Sequence, residues 1–111
     1  MFFVSKYINF RKDVFVISNT KSRKYQLTFN NPEEHNVSHS SVNETMKQLK
    51  WEYYCLCDEI GENKTPHIHL FFYCANAVMF NRVKKLFPSA HIESARGSCQ
   101  ENRDYIRKEG K

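Results

Sequence analysis

The sequence has few of the residues that interrupt regular structure: three glycines and three prolines in 111 residues. That scarcity excludes a flexible Gly/Ser-rich linker, a low-complexity tract and a collagen-like repeat, and no internal repeat is present. Long apolar runs are missing as well. No stretch approaches the ~20 residues that a membrane span needs. Met1–Phe10 starts out apolar, but Lys6, Asn9, Arg11, Lys12 and Asp13 break it before a signal-peptide core develops. Without such a signal, the four cysteines (Cys55, Cys57, Cys74 and Cys99) are expected to stay reduced, as small buried side chains or metal ligands. These absences point to a soluble intracellular protein with no membrane partner.

Aromatic side chains, by contrast, are plentiful. Nine phenylalanines, six tyrosines and a tryptophan, within a hydrophobic fraction of 41%, are enough to build a core and exclude disorder as the main state. The length suits a single domain. Seventeen Lys and Arg against twelve Asp and Glu leave a net charge of +5, which permits a nucleic-acid partner without requiring one.

Residues 1–23 form an extension without a clear role; Val14–Ile17 has strand character and Lys21–Lys24 reads as a basic connector. From Lys24 the patterns sharpen. Tyr25–Asn30 alternates strictly, with Tyr25, Leu27 and Phe29 on one face and Gln26, Thr28 and Asn30 on the other, and Asn31-Pro32 ends the strand. Ser41 and Glu44 form a capping-box pattern that opens a helix to about Lys50. Trp51–Asp58 reads as a strand, and His67–Tyr73 is a second clean alternation. Asn76 reads as the cap of a helix stopped by Pro88; a short strand at His91–Ser94 follows, and Ser98 with Glu101 opens a last helix. This order predicts an α+β fold: a central antiparallel sheet of about five strands, helices on one face, and an RRM-like, split βαβ topology.

The sheet face left open carries the polar positions. His67 and His69 share a strand side about 7 Å apart, a spacing from which two imidazoles converge on one cation. Glu59 lies beside His67 if the two strands form a hairpin, and mixed nitrogen and oxygen donors suit Mn²⁺ or Mg²⁺. The plainer reading is two histidines on a solvent-facing strand. A rival set is a Cys₂His₂ zinc site from Cys55, Cys57, His67 and His69. On the last helix Tyr105 and Lys108, three residues apart, share a face. A neutral tyrosine hydroxyl is a weak nucleophile, and a neighbouring ammonium and a metal-polarised phosphate would both assist it. Gln26, Thr28 and Asn30 could hydrogen-bond bases or phosphates. Phe71 and Tyr73 could stack a base, unless Phe71 packs beneath the final helix.

Three ordered motifs carry a resemblance. Tyr25–Pro32, ending T-F-N-N-P, resembles the first motif of replication initiator (Rep) proteins of circular single-stranded DNA viruses and related bacterial plasmids. Thr65-Pro66-His67-Ile68-His69 is similar to their histidine–hydrophobic–histidine (HUH) motif, and Tyr105–Gly110 to their Y-x-x-K-E-G motif. The resemblance covers about Lys24 to Lys111 and implies an HUH endonuclease domain over 24–111, the nuclease part of a longer protein whose helicase domain lies elsewhere. By motif, Glu59, His67 and His69 would bind a divalent cation (Mn²⁺ or Mg²⁺), with Asp58 a one-residue slip away from replacing Glu59. Tyr105 would attack the scissile phosphate of a single-stranded origin stem-loop, with Lys108 orienting the site or stabilising charge. Thr28, Asn30 and Asn31 would help recognise origin DNA. The implied role is to start rolling-circle replication through a 5′-phosphotyrosine link. Implied partners are single-stranded DNA, the host replication machinery and further copies of the chain, in a bacterial cytoplasm or a host nucleus according to source. The alternative is a non-catalytic single-stranded nucleic-acid binder on an RRM-like sheet.

Overall fold

In the computed structural model, residues 20–60 and 65–109 are described, with 108 and 109 described by their backbone alone. The elements run β1 (Lys21–Asn30), a 3-10 turn (Pro32–His35), α1 (His39–Met46), β2 (Trp51–Ile60), β3 (Pro66–Met79), α2 (Phe80–Leu86), β4 (His91–Ser94) and α3 (Cys99–Glu109). Among the described residues the sheet has four antiparallel strands in the order β2-β3-β1-β4. That is one fewer than expected; the further candidate, Val14–Ile17, lies outside the described residues.

Period-2 alternation decides the core. Tyr25, Leu27 and Phe29 of β1 and Ile68, Leu70, Phe72 and Cys74 of β3 turn to one face, where Val42 and Met46 of α1, Leu49, and Val83 of α2 with Phe87 close over them. The ring centroids of Phe29 and Phe87 are 5.8 Å apart, edge to face, and those of Tyr25 and Phe72 are 5.5 Å apart. Burial pushes the Tyr25 phenol above its ordinary pKa, and its hydroxyl donates to Val78 O at 2.6 Å.

Three boundaries differ from the sequence pattern, each for a local reason. The basic stretch from Lys21 is the first part of β1, because Lys21 and Ser22 pair with Met79 and Val78 across an irregularity in the ladder. β3 therefore runs on to Met79, so Asn76 lies in a strand and caps nothing; α2 begins at Phe80, whose N–H donates to Thr20 O at 2.7 Å. α1 starts earlier than expected. Its capping box is Ser38 with Ser41, the Ser38 hydroxyl accepting from Ser41 N at 3.1 Å and Ser41 Oγ accepting from Ser38 N at 2.9 Å. Glu44 instead pairs with Lys47 at 3.3 Å in the open, where such pairs stabilise little.

α1 and α2 cover the core face as expected, whereas α3 lies across the opposite face, against β3 and β2. Its buried Asn102 and Ile106, one turn apart, form the line that meets the sheet.

The capping assignment has a measurable consequence. Ser38→Ala is expected to lower unfolding free energy by about 1 kcal/mol in urea denaturation. Glu44→Ala should change it by less than about 0.5 kcal/mol.

Candidate metal and nucleic-acid site

The face opposite the core is built in rows, one residue from each strand. Glu59 is paired with His67 and, on the other side of β3, Asn30 is paired with His67. In the next row stand Cys57, His69, Thr28 and His91; in the one after, Cys55, Phe71, Gln26 and Glu93. A last row holds Tyr53, Tyr73 and Lys24.

Within this frame His69 Nε2 lies 2.6 Å from Glu59 Oε1, donating across the diagonal between two rows, with both side chains mostly buried. Thr28 Oγ1 is 3.4 Å from the other ring nitrogen of His69, close enough to steady the ring. The His67 and His69 rings are 6.2 Å apart, and His67 Nδ1 is buried with no hydrogen-bond partner. Asp58 takes the other face of β2, where it pairs with His39 of α1 at 2.9 Å. The β2–β3 ladder is regular here, so the carboxylate on the histidine face is Glu59.

As the side chains stand, no three His, Cys, Asp or Glu among the described residues are gathered tightly enough to grip a metal ion. Glu59 is instead engaged with His69. The donor chemistry nevertheless fits a divalent cation: two imidazoles, one carboxylate, and a buried ring nitrogen left without a partner, an arrangement that costs free energy unless something fills it. The Cys₂His₂ alternative loses a ligand, because Cys55 stands opposite Phe71, a row away from the histidines.

α3 divides this face. The Asn102 side chain is 5% exposed and holds three contacts: its Oδ1 accepts from Gln26 Nε2 at 2.5 Å, and its amide donates to Arg96 O at 2.7 Å and Ser98 O at 2.9 Å. Glu101 Oε1 accepts from Ser98 N, and Ser98 Oγ accepts from Glu101 N, the expected capping box. Lys24 Nζ donates to Gly97 O just before the helix. With 100° per residue, Tyr105 and Arg103 flank the Asn102–Ile106 line on opposite sides. Tyr105, 55% exposed, borders an open groove of about 520 Å³ with Gln26, Glu93, Arg96 and Glu101. Arg103 is turned towards Tyr53 and Cys55, where its charge partly offsets the rise in pKa that burial imposes on both.

The positions expected to meet nucleic acid separate accordingly. Thr28 and Asn30 stay beside the histidines, while Gln26 is bound to Asn102. Asn31 adopts a left-handed conformation (φ 49°) and its N–H donates to Pro66 O at 2.9 Å, tying the first motif to the start of β3. Phe71 requires a correction: it is 0% exposed, because α3 covers its row, and so it offers no ring to a base. Tyr73 is half-buried on the Arg103 side of α3, with Lys24 Nζ 5.9 Å from its ring centre. The side chain of Lys108 lies outside the described residues. Asn102 is the anchor that sequence reasoning did not single out; its one signal was its place a full turn before the apolar Ile106.

A family model described as "Putative viral replication protein" matches residues 22–109. The replication-associated protein of Pigeon circovirus is 34% identical over 89 residues, which cover 80% of this chain and 27% of that protein. That of Beak and feather disease virus is 34% identical over 91 residues, 79% of this chain and 29% of the relative. The master replication protein of Subterranean clover stunt virus is 35% identical over 83 residues, 75% and 26% respectively. The chain therefore spans between a quarter and a third of the length of these relatives.

Removing the anchor of α3 tests the arrangement. Asn102→Ala should cost about 1–3 kcal/mol of stability, the range for losing a buried, fully used polar group. Amide exchange should accelerate first in α3, while β1 and β3 stay protected.

Proposed function

The chain belongs to the viral replication proteins, the Rep proteins of circular single-stranded DNA viruses, and on that premise we propose that it is a metal-dependent, sequence-specific endonuclease and strand-joining domain that nicks a single-stranded origin loop through Tyr105. The observation that carries the reading is that α3 lays Tyr105 on the sheet face that also holds Glu59, His67 and His69.

Glu59, His67 and His69 would hold the cation, Mn²⁺ or Mg²⁺, the charge of which would draw electron density from a phosphate oxygen and stabilise the transition state. Thr28 keeps His69 oriented through its second ring nitrogen. Tyr105 Oη attacks the phosphorus; a Tyr–O–P bond forms as the bond to the 3′ oxygen of the preceding nucleotide breaks. The phenolic proton leaves to solvent or a nearby base, and the departing 3′ oxygen takes one up. The products are a 5′-phosphotyrosine link and a free 3′-hydroxyl, the end that a polymerase extends. Because one phosphodiester is exchanged for another, the bond's free energy is retained and the reverse attack reseals the strand without a nucleotide cofactor. The exposure of Tyr105 suits a nucleophile that must reach a polymer rather than a small molecule. Lys108, one turn along, would favour the negative charge that develops there.

Thr28, Asn30 and Asn31 supply polar contacts beside the scissile phosphate, and Tyr73 an aromatic one farther along. The net charge of +5 is small, so contacts on the sheet face, more than bulk attraction to phosphates, set the choice of sequence. Through the rest of the protein the domain would assemble with further copies of itself and engage the host's replication machinery. No helix among the described residues is long and apolar enough to cross a membrane.

Incubation with labelled stem-loop oligonucleotides and Mn²⁺ should yield an SDS-resistant protein–DNA adduct, abolished by EDTA and by Tyr105→Phe. Binding should survive that substitution. Binding by the wild-type protein to origin-like loops without any adduct would make it a non-catalytic single-strand binder instead. His67→Ala and His69→Ala should each abolish the adduct while shifting metal-free stability by no more than about 1 kcal/mol, since neither side chain belongs to the apolar core. A thermal denaturation scan of each variant checks the second part.

A further inference from the structure

Beside the two histidines stands a side chain that the proposed strand transfer does not use. Cys57 is paired with His69 across β2 and β3, on the same sheet face and one row from the Glu59–His67 pair. Directly opposed residues on one face have Cβ atoms about 4.5–5.5 Å apart, and successive same-face residues of a strand are about 7 Å apart. Cys57, Glu59, His67 and His69 therefore mark the corners of a small rectangle. One diagonal is already closed by the 2.6 Å contact of His69 Nε2 with Glu59 Oε1. On the other, Cys57 faces His67, and His67 Nδ1 is buried with no partner. Cys57 is a free thiol and is not fully buried.

We propose that Cys57 joins Glu59, His67 and His69 as the fourth donor of a site for a thiophilic divalent cation, Zn²⁺ above all. A cation entering on the closed diagonal replaces the His69–Glu59 hydrogen bond and draws in Cys57 Sγ and His67 from the remaining corners. A thiolate, two imidazoles and a carboxylate complete a tetrahedral set, with bonds of about 2.3 Å to sulfur and about 2.0–2.2 Å to nitrogen and oxygen. As the metal–sulfur bond forms, the thiol proton passes to solvent. Sulfur is a soft ligand that Mg²⁺ and Mn²⁺ do not favour, so the fourth donor gives Zn²⁺ an advantage beyond its ordinary affinity for imidazole. A tetrahedral set also leaves no open position for a phosphate oxygen. Zinc held in this way competes with the cation of strand transfer; this last clause rests on the nuclease reading, whereas the site itself does not.

Cys55 is the internal control. It shares the strand and the face but stands opposite Phe71, and burial raises its pKa.

The experiment titrates the metal-free full chain with Co²⁺ as the probe, with no DNA present. The expected result is the strong visible absorption of tetrahedral cobalt together with a sulfur-to-cobalt charge-transfer band, both lost when Zn²⁺ is added. Cys57→Ser should remove the charge-transfer band and weaken Zn²⁺ binding by more than about tenfold. His67→Ala should weaken binding as well, and Cys55→Ser should keep both bands. Absence of the charge-transfer band in the wild type, or its survival in Cys57→Ser, overturns the proposal. Because Cys57→Ser could fail to fold, alkylation of the wild-type protein provides a second readout: Zn²⁺ should shield Cys57 from iodoacetamide, seen by peptide mass spectrometry, and equal labelling of Cys57 with and without Zn²⁺ overturns it. Neither measurement reads cleavage, so failure here leaves the nuclease reading standing, and failure of the adduct assay leaves this one.

Discussion

Glu59 meets the histidines because β2 and β3 pair in one register, and most of the site follows from that ladder. A strand's side chains alternate with period 2, so a slip of a single residue would bring Asp58 to the histidine face and send Glu59 to the helix side. Several contacts hold the register from the other side of the sheet. Ile68, Leu70 and Phe72 are buried in the core, Asp58 pairs with His39, and the Tyr54 hydroxyl donates to Asn43 of α1 at 2.7 Å. The core thus positions the polar face without contributing an atom to it.

The second face is occupied as well as exposed. Ile106 and Asn102 seat α3 over the row of Cys55, Phe71 and Gln26. Burying Phe71 there contributes about 1.5–3 kcal/mol. The same packing separates the face into a histidine side, where Thr28 and Asn30 stand, and a Tyr73 side, where Lys24 and Arg103 gather. One helix therefore stabilises a small sheet, delivers Tyr105 and limits what a strand of DNA can touch.

Much of this was legible in the residues. The alternations of Tyr25–Asn30 and His67–Tyr73, the Ser98–Glu101 cap and the strand at His91–Ser94 rest on local rules: period, capping and turn chemistry. The viral family of the chain was legible too, through motifs whose order survives when most other positions change. The boundaries that differed were decided by partners distant in sequence. Lys21 and Ser22 extend a strand because Met79 and Val78 lie across from them, and Asn76 cannot cap a helix while its segment remains in the sheet.

The sequence by itself determined which side chains share a face, because alternation and helical spacing are properties of a chain and its immediate neighbours. It thereby placed His67 with His69, and Thr28 with Asn30. Only the tertiary structure decided which rows lie side by side and which row the last helix covers, since these depend on contacts between segments whose register no local pattern records. That is why Cys57 rather than Cys55 flanks His69, why Gln26 is spent on Asn102, and why Phe71 is buried rather than offered to a base.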